Sequence, residues 1–148
     1  DWYMSWMYVC FESVTAYMSL GKHDEALDII NDFLNTADPK LKQDTYCIAR
    51  VINLLIHFEL DNWDLLEYML DSTQRYLRNK ERLLDFEKAI LSFIKKMLQS
   101  MGKTQEIKLL EELKLSLQAL TKDSLERNVL EQFDFISWLD RNIALRKK

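Results

Sequence analysis

Glycine and proline are nearly missing from this chain, with two Gly and one Pro in 148 residues. Gly21 and Gly102 alone cannot supply the successive close backbone approaches of a glycine-rich phosphate cradle, so that chemistry is excluded. The same scarcity leaves little material for tight turns and implies few, long elements. Histidine and cysteine are also short: His23, His57, Cys10 and Cys47 are all there is. None of these four stands within a few residues of another, which excludes the paired ligand spacing of a zinc site. No apolar run reaches the roughly 18 residues of a membrane span, and no basic segment leads into a short apolar one. A net charge of −4 gives the chain as a whole no electrostatic footprint for a phosphate backbone. The expectations are therefore no enzyme activity, no cofactor, no metal, no nucleic acid and no membrane, in a cytoplasmic setting. Because the chain opens on Asp1 rather than Met, it reads as the C-terminal part of a longer protein, and any targeting signal would stand upstream.

What is present is helix-forming. Ala, Leu, Glu, Lys, Gln, Arg and Met recur throughout, and β-branched runs bounded by Gly or Asn-Gly are missing, so an all-α fold is expected. The hydrophobic fraction of 48% against 30% charged residues suits a packed core. Cys10 and Cys47 fall inside apolar helical patterns and read as reduced, core-type thiols.

One stretch, Leu20-Gly21-Lys22-His23-Asp24-Glu25-Ala26-Leu27, punctuates the chain as a turn between two helices. Leu60-Asp61-Asn62-Trp63 follows it by 40 positions, and Met101-Gly102-Lys103-Thr104 by another 41. Fixed-period punctuation is the signature of stacked helical repeats. Seven helices are expected, as hairpins over about 2–36, 40–78 and 81–121 and a closing helix over 124–146. Gly21 ends the first helix, with Asp24 and Glu25 in the first turn of the second. Asp38-Pro39 reads as N-cap and first position of the third helix, Asp61 or Asn62 as the cap of the fourth. Asp123 with Glu126 resembles a capping box. His23, in the turn, should be exposed. His57 should be a hydrogen-bonded helix residue. In the closing helix one stripe runs through Leu125, Val129, Phe133, Ile136, Leu139 and Ile143. Phe135, Trp138, Asn142 and Leu145 form a second, read either as further core against the sixth helix or as a secondary contact site.

Tyr17, the Leu20-Gly21 turn, the small Ala26 early in the next helix and Pro39 downstream stand in the order of a tetratricopeptide repeat, which residues 6–39 resemble. The resemblance weakens beyond Pro39: Ala26 is replaced by Leu66 and Ile107, the later units lack the proline, and the spacing is near 40 rather than the roughly 34 of the family. Residues 133–140 are also similar to the tails of large bacterial helical-repeat proteins. The resemblance implies a right-handed superhelix of antiparallel hairpins whose first helices line a concave face, acting as a protein–protein interaction or scaffold module. Carried over by register from Ala26, that face comprises Tyr8, Phe11, Thr15 and Met18, then Ile48, Val51, Leu55 and Phe58, and finally the polar Ser92, Lys96 and Gln99. The implied occupant is a protein or peptide partner; alternatively these side chains are inter-repeat core. A second implied role is peptide sensing, coupled to an effector domain upstream.

The first helix adds its own signal. From Trp2 to Met18 it is apolar on nearly every side, the pattern of a helix covered all round. Upstream repeats, a second copy of the chain or a separate partner would each cover it, and this helix is where partner binding is expected.

Overall fold

The helical pattern condenses, in the computed structural model, into eight α-helices among the described residues, which are 2–41, 43–79 and 84–148. They are α1 Trp2–Ser19, α2 His23–Thr36, α3 Gln43–Glu59, α4 Trp63–Arg78, α5 Asp85–Leu98, α6 Lys103–Leu120, α7 Ser124–Leu130 and α8 Phe135–Lys147. No strand occurs among those residues, so the fold is all-α. The chain divides into two compact units, Asp1–Met69 and Leu70–Lys148, with the division falling inside α4 rather than between hairpins.

In the first unit α1 packs on α2, and α2 on α3. Met7, Phe11, Val14 and Met18 recur at three and four positions, so they line one face of α1, and all four are buried. Phe33 of α2 receives this face: its ring stacks on Trp6 at 5.2 Å between centroids and meets Phe11 edge-on at 5.3 Å. Ala26 is fully buried, and its single methyl group lets the two helices approach closely. From Val51 to Phe58 every residue of α3 is buried, so this half of the helix is enclosed on all sides.

The repeated turn is visible in the backbone. Gly21 adopts φ 74°, its N–H donates to Met18 O at 3.1 Å, and Lys22 N–H donates to Tyr17 O at 2.8 Å. Forty positions on, Asp61 adopts φ 57°, with Asp61 N–H to Phe58 O at 3.2 Å and Asn62 N–H to His57 O at 3.1 Å. Both are the left-handed helix ending that satisfies the last orphan carbonyls. At the third site the geometry changes. Gly102, φ 94° and ψ 167°, stands at the N-cap of α6, and the preceding helix has already closed at Gln99 through a bond to Lys96 O.

Other boundaries depart from the sequence expectation. Asp38 caps a turn instead of α3: its Oδ1 accepts from Lys40 N at 2.9 Å and its carbonyl from Leu41 N at 3.1 Å. Asn62 immediately precedes α4, its carbonyl accepting from Leu66 N at 2.8 Å, and its side-chain Nδ2 reaches back to His57. The expected start of the fifth helix at 81 lies outside the described residues. The single closing helix is two, α7 and α8. Asp134 starts the second by accepting from Ser137 N at 3.0 Å and Ser137 Oγ at 2.6 Å, so a new helix nucleates where the apolar stripe alone suggested continuity.

In the second unit α6 packs on α5 and α8, and α7 touches α5. The core joins Phe86 and Phe93 of α5 to Phe135 and Trp138 of α8, with centroid separations of 6.1 and 6.3 Å. Ion pairs fasten α8 along α6: Arg146 Nε to Glu106 Oε1 at 3.1 Å, Lys147 to Glu111 at 3.2 Å and Lys114 to Asp140 at 2.8 Å.

Candidate interaction surface

The concave-face residues implied by the tetratricopeptide resemblance are mostly core. Phe11, Met18, Ile48, Val51, Leu55 and Phe58 are buried and present no surface to a partner. Phe11 is held against Phe33, and Phe58 meets Trp63 edge-on at 5.6 Å. Thr15 is half-buried and satisfies its own helix, Oγ1 donating to Phe11 O at 2.9 Å. Of the eight, Tyr8 alone is exposed. The physical reason is that an apolar stripe at helical spacing serves the neighbouring helix first. Phe135 and Trp138 follow the same rule: both are buried, and of that second stripe Leu145 alone is exposed. The polar trio behaves differently. Ser92, Lys96 and Gln99 are exposed, and Ser92 and Lys96 border a cavity of about 150 Å³ with Glu112 and Ser116 of α6.

Exposed apolar side chains occur instead elsewhere on α1. Trp2 keeps 76% of its surface exposed, Tyr8 67% and Val9 58%, with Met4 beside them. At 100° per residue Trp2 and Val9 fall opposite the Met7–Phe11–Val14–Met18 face that meets α2, Tyr8 on its flank and Met4 at its edge. Trp2 is braced rather than loose: its ring meets Tyr3 edge-on at 6.1 Å and Trp6 at 6.5 Å. The expected cover all round α1 is not met: Trp2, Tyr8 and Val9 stay exposed.

The two histidines sit in structural roles. His23 is half-buried rather than exposed, its Nε2 3.7 Å from Glu59 Oε2, so the first residue of α2 is drawn to the end of α3. His57 is buried, and Asn62 Nδ2 donates to its Nδ1 at 3.2 Å, which places the ring proton on Nε2. Burial pushes the His57 imidazole below its ordinary range, although a helix C-terminus by itself would favour the cation. Cys10 and Cys47 form no disulfide, Cys10 being half-buried and Cys47 buried. Burial first and the nearby Asp32 carboxylate second push the Cys10 thiol up, away from reactivity.

Sequence reading did not anticipate the role of Glu126. Its side chain was expected to close a capping box on Asp123; instead it reaches α5, where Oε1 accepts from Asp85 N at 2.6 Å and Oε2 from Phe86 N at 3.2 Å. Asp123 caps α7 without it, accepting from Leu125 N at 2.9 Å and Glu126 N at 3.2 Å. Leu84 at the N-cap of α5 has no side-chain oxygen, and Glu126 supplies the missing acceptors from another helix.

No group of three His, Cys, Asp or Glu side chains among the described residues is arranged to hold a metal ion. Among the same residues no helix is long and apolar enough to cross a membrane. Comparison with models of protein families, with curated proteins and with solved structures gives no match.

Proposed function

We propose that this chain is a tetratricopeptide-like helical-repeat module for protein–protein interaction or scaffolding, and that α1 is its recognition element. The observation that supports the reading is the exposed apolar surface of α1, where Trp2, Tyr8 and Val9 stay more than half exposed while the Met7–Phe11–Val14–Met18 face is packed on α2. Large apolar side chains left exposed on one helix favour a contact site, because leaving them in water forgoes the stabilisation that burial gives. Trp and Tyr are also the side chains that dominate binding energy at protein interfaces. The occupant is a peptide or a partner helix laid along α1.

Selection of peptides from a random library on the immobilised protein tests this directly. Enriched peptides should lose binding to the Tyr8→Glu, Val9→Glu double variant while its far-UV circular dichroism stays that of the parent. Both positions are exposed, so the fold should tolerate the change. Enrichment of peptides indifferent to both substitutions would defeat the reading. Phe11 and Phe58 are unsuitable probes, because charge at either buried position would unfold the unit.

A further inference from the structure

A second surface, in the other unit, has a different chemistry. Between the C-terminal half of α4 and the body of α5 lies a cleft of about 450 Å³ lined by Gln74, Leu77, Arg78, Lys88, Leu91, Ser92 and Lys95. Lys88, Ser92 and Lys95 recur at four and three positions and share one face of α5. Gln74 and Arg78, four apart, likewise share a face of α4. The packed Leu77 and Leu91 form an apolar floor, and Arg78, Lys88 and Lys95 stand exposed at the rim. Arg78 Nε donates to its own helix at Gln74 O, 3.4 Å away, and the Lys88 ammonium lies 3.7 Å from the exposed Asp85.

Among the described residues, the lining carries three cations and no carboxylate. The chain as a whole has 24 acidic residues against 20 basic ones, so the lining of the cleft is opposite in sign to the net charge of the chain. Charge of one sign around a concave, partly apolar site focuses the field and selects an occupant of the opposite sign. The volume lies within the roughly 300–1,000 Å³ of sites that enclose small ligands. A nucleic acid would need cations tracking a long backbone over a surface free of acid, whereas here they are confined to one cleft on a protein of net charge −4. The leucine floor adds a requirement for apolar side chains, which a phosphate backbone does not provide.

We propose that the α4–α5 cleft binds a short acidic peptide segment, its carboxylates paired with Arg78, Lys88 and Lys95 and its apolar side chains on Leu77 and Leu91. Arg78 can take a carboxylate through two parallel N–H donors, and the lysines act as point charges along α5. This site shares no residue with the α1 face.

Fluorescence anisotropy with the labelled hexapeptide Leu-Glu-Glu-Leu-Glu-Glu tests the proposal, with Leu-Gln-Gln-Leu-Gln-Gln as the uncharged control. The acidic peptide should bind in preference to the control, and raising salt from about 50 to about 200 mM should weaken it severalfold. Arg78→Glu and Lys95→Glu should each weaken binding about fivefold or more, since each exchanges an exposed attraction for a repulsion. Lys147→Glu on α8 and Tyr8→Glu on α1 should leave it unchanged, which separates this site from the α1 surface. The proposal is overturned if the control binds equally well, or if Arg78→Glu and Lys95→Glu are both silent. Saturation absent up to about 1 mM peptide, or tighter binding of oligothymidylate than of the peptide, would overturn it as well.

Discussion

Glu126 and Asp85 are 41 residues apart, yet the Glu126 carboxylate accepts the Asp85 amide at 2.6 Å and, through its second oxygen, the amide of Phe86 at 3.2 Å. Glu87 meanwhile folds back on Leu84 N at 2.9 Å, so three of the first amides of α5 are satisfied by two buried carboxylates. Replacing Glu126 by Ala strands two amides in an apolar setting and should cost about 2–3 kcal/mol. Glu126→Gln keeps one acceptor oxygen and should cost about half as much. Urea denaturation of the three proteins checks the order; equal stability of parent and Glu126→Ala would show that the bond pair contributes nothing.

The paired turns at Gly21 and Asp61 make a torsional prediction. Nothing lies within 4 Å of a Cβ built on Gly21, so a substitution there meets backbone strain and no clash. Gly21→Val should lose about 1–2 kcal/mol, the cost of the left-handed region for a side chain branched at Cβ. Gly21→Asp should lose less than half of that, because Asp tolerates this region and Asp61 already occupies it at φ 57°. Thermal melts of the two variants decide the matter: if Asp is as costly as Val, the two turns are not equivalent.

His57 sets an acid limit on stability. Its folded-state pKa is depressed by burial, so the native state takes up a proton less readily than the unfolded chain. The stabilisation is complete above the unfolded value of about 6.5 and is lost as pH falls below it toward the lowered folded value. Urea midpoints measured at pH 7.5 and pH 5.5, values chosen to lie about 1 unit either side of that pKa, should fall for the parent. In His57→Gln, which cannot be protonated, the drop should shrink. An undiminished drop would place the acid sensitivity on another group.

Trp138 is the largest of the fully buried side chains, meeting Phe93 edge-on at 6.3 Å. Truncation to Ala should cost about 3–5 kcal/mol, against about 0.5 kcal/mol or less for Leu145→Ala at the exposed end of the same stripe. Chemical denaturation monitored by circular dichroism distinguishes the two.

These residues show how far the sequence was informative. The turn at Gly21 was legible because a left-handed ending favours Gly, and its copy at Asp61 was legible by spacing. The all-α class followed from composition and the near-absence of breakers. The α7–α8 break was missed because the apolar stripe runs across it; the signal was Asp134 with Ser137 three positions on, a cap hidden inside a periodic pattern. The Glu126 contact could not be read, since its partners are backbone amides and carry no side-chain signature. At the candidate site, the apolar character of α1 was visible, but which of its faces remains open depends on where α2 lies. Register alone sent Phe11, Met18 and the α3 residues to a groove, although they pack inside.

The placement of the two thiols makes the chain a chemical clock for one of its halves. Both cysteines belong to the first unit, Cys10 half-buried and Cys47 enclosed in α3, while the second unit has none. Alkylation of Cys47 must wait for α3 to open, so its rate measures the opening free energy of that half while the other stays silent.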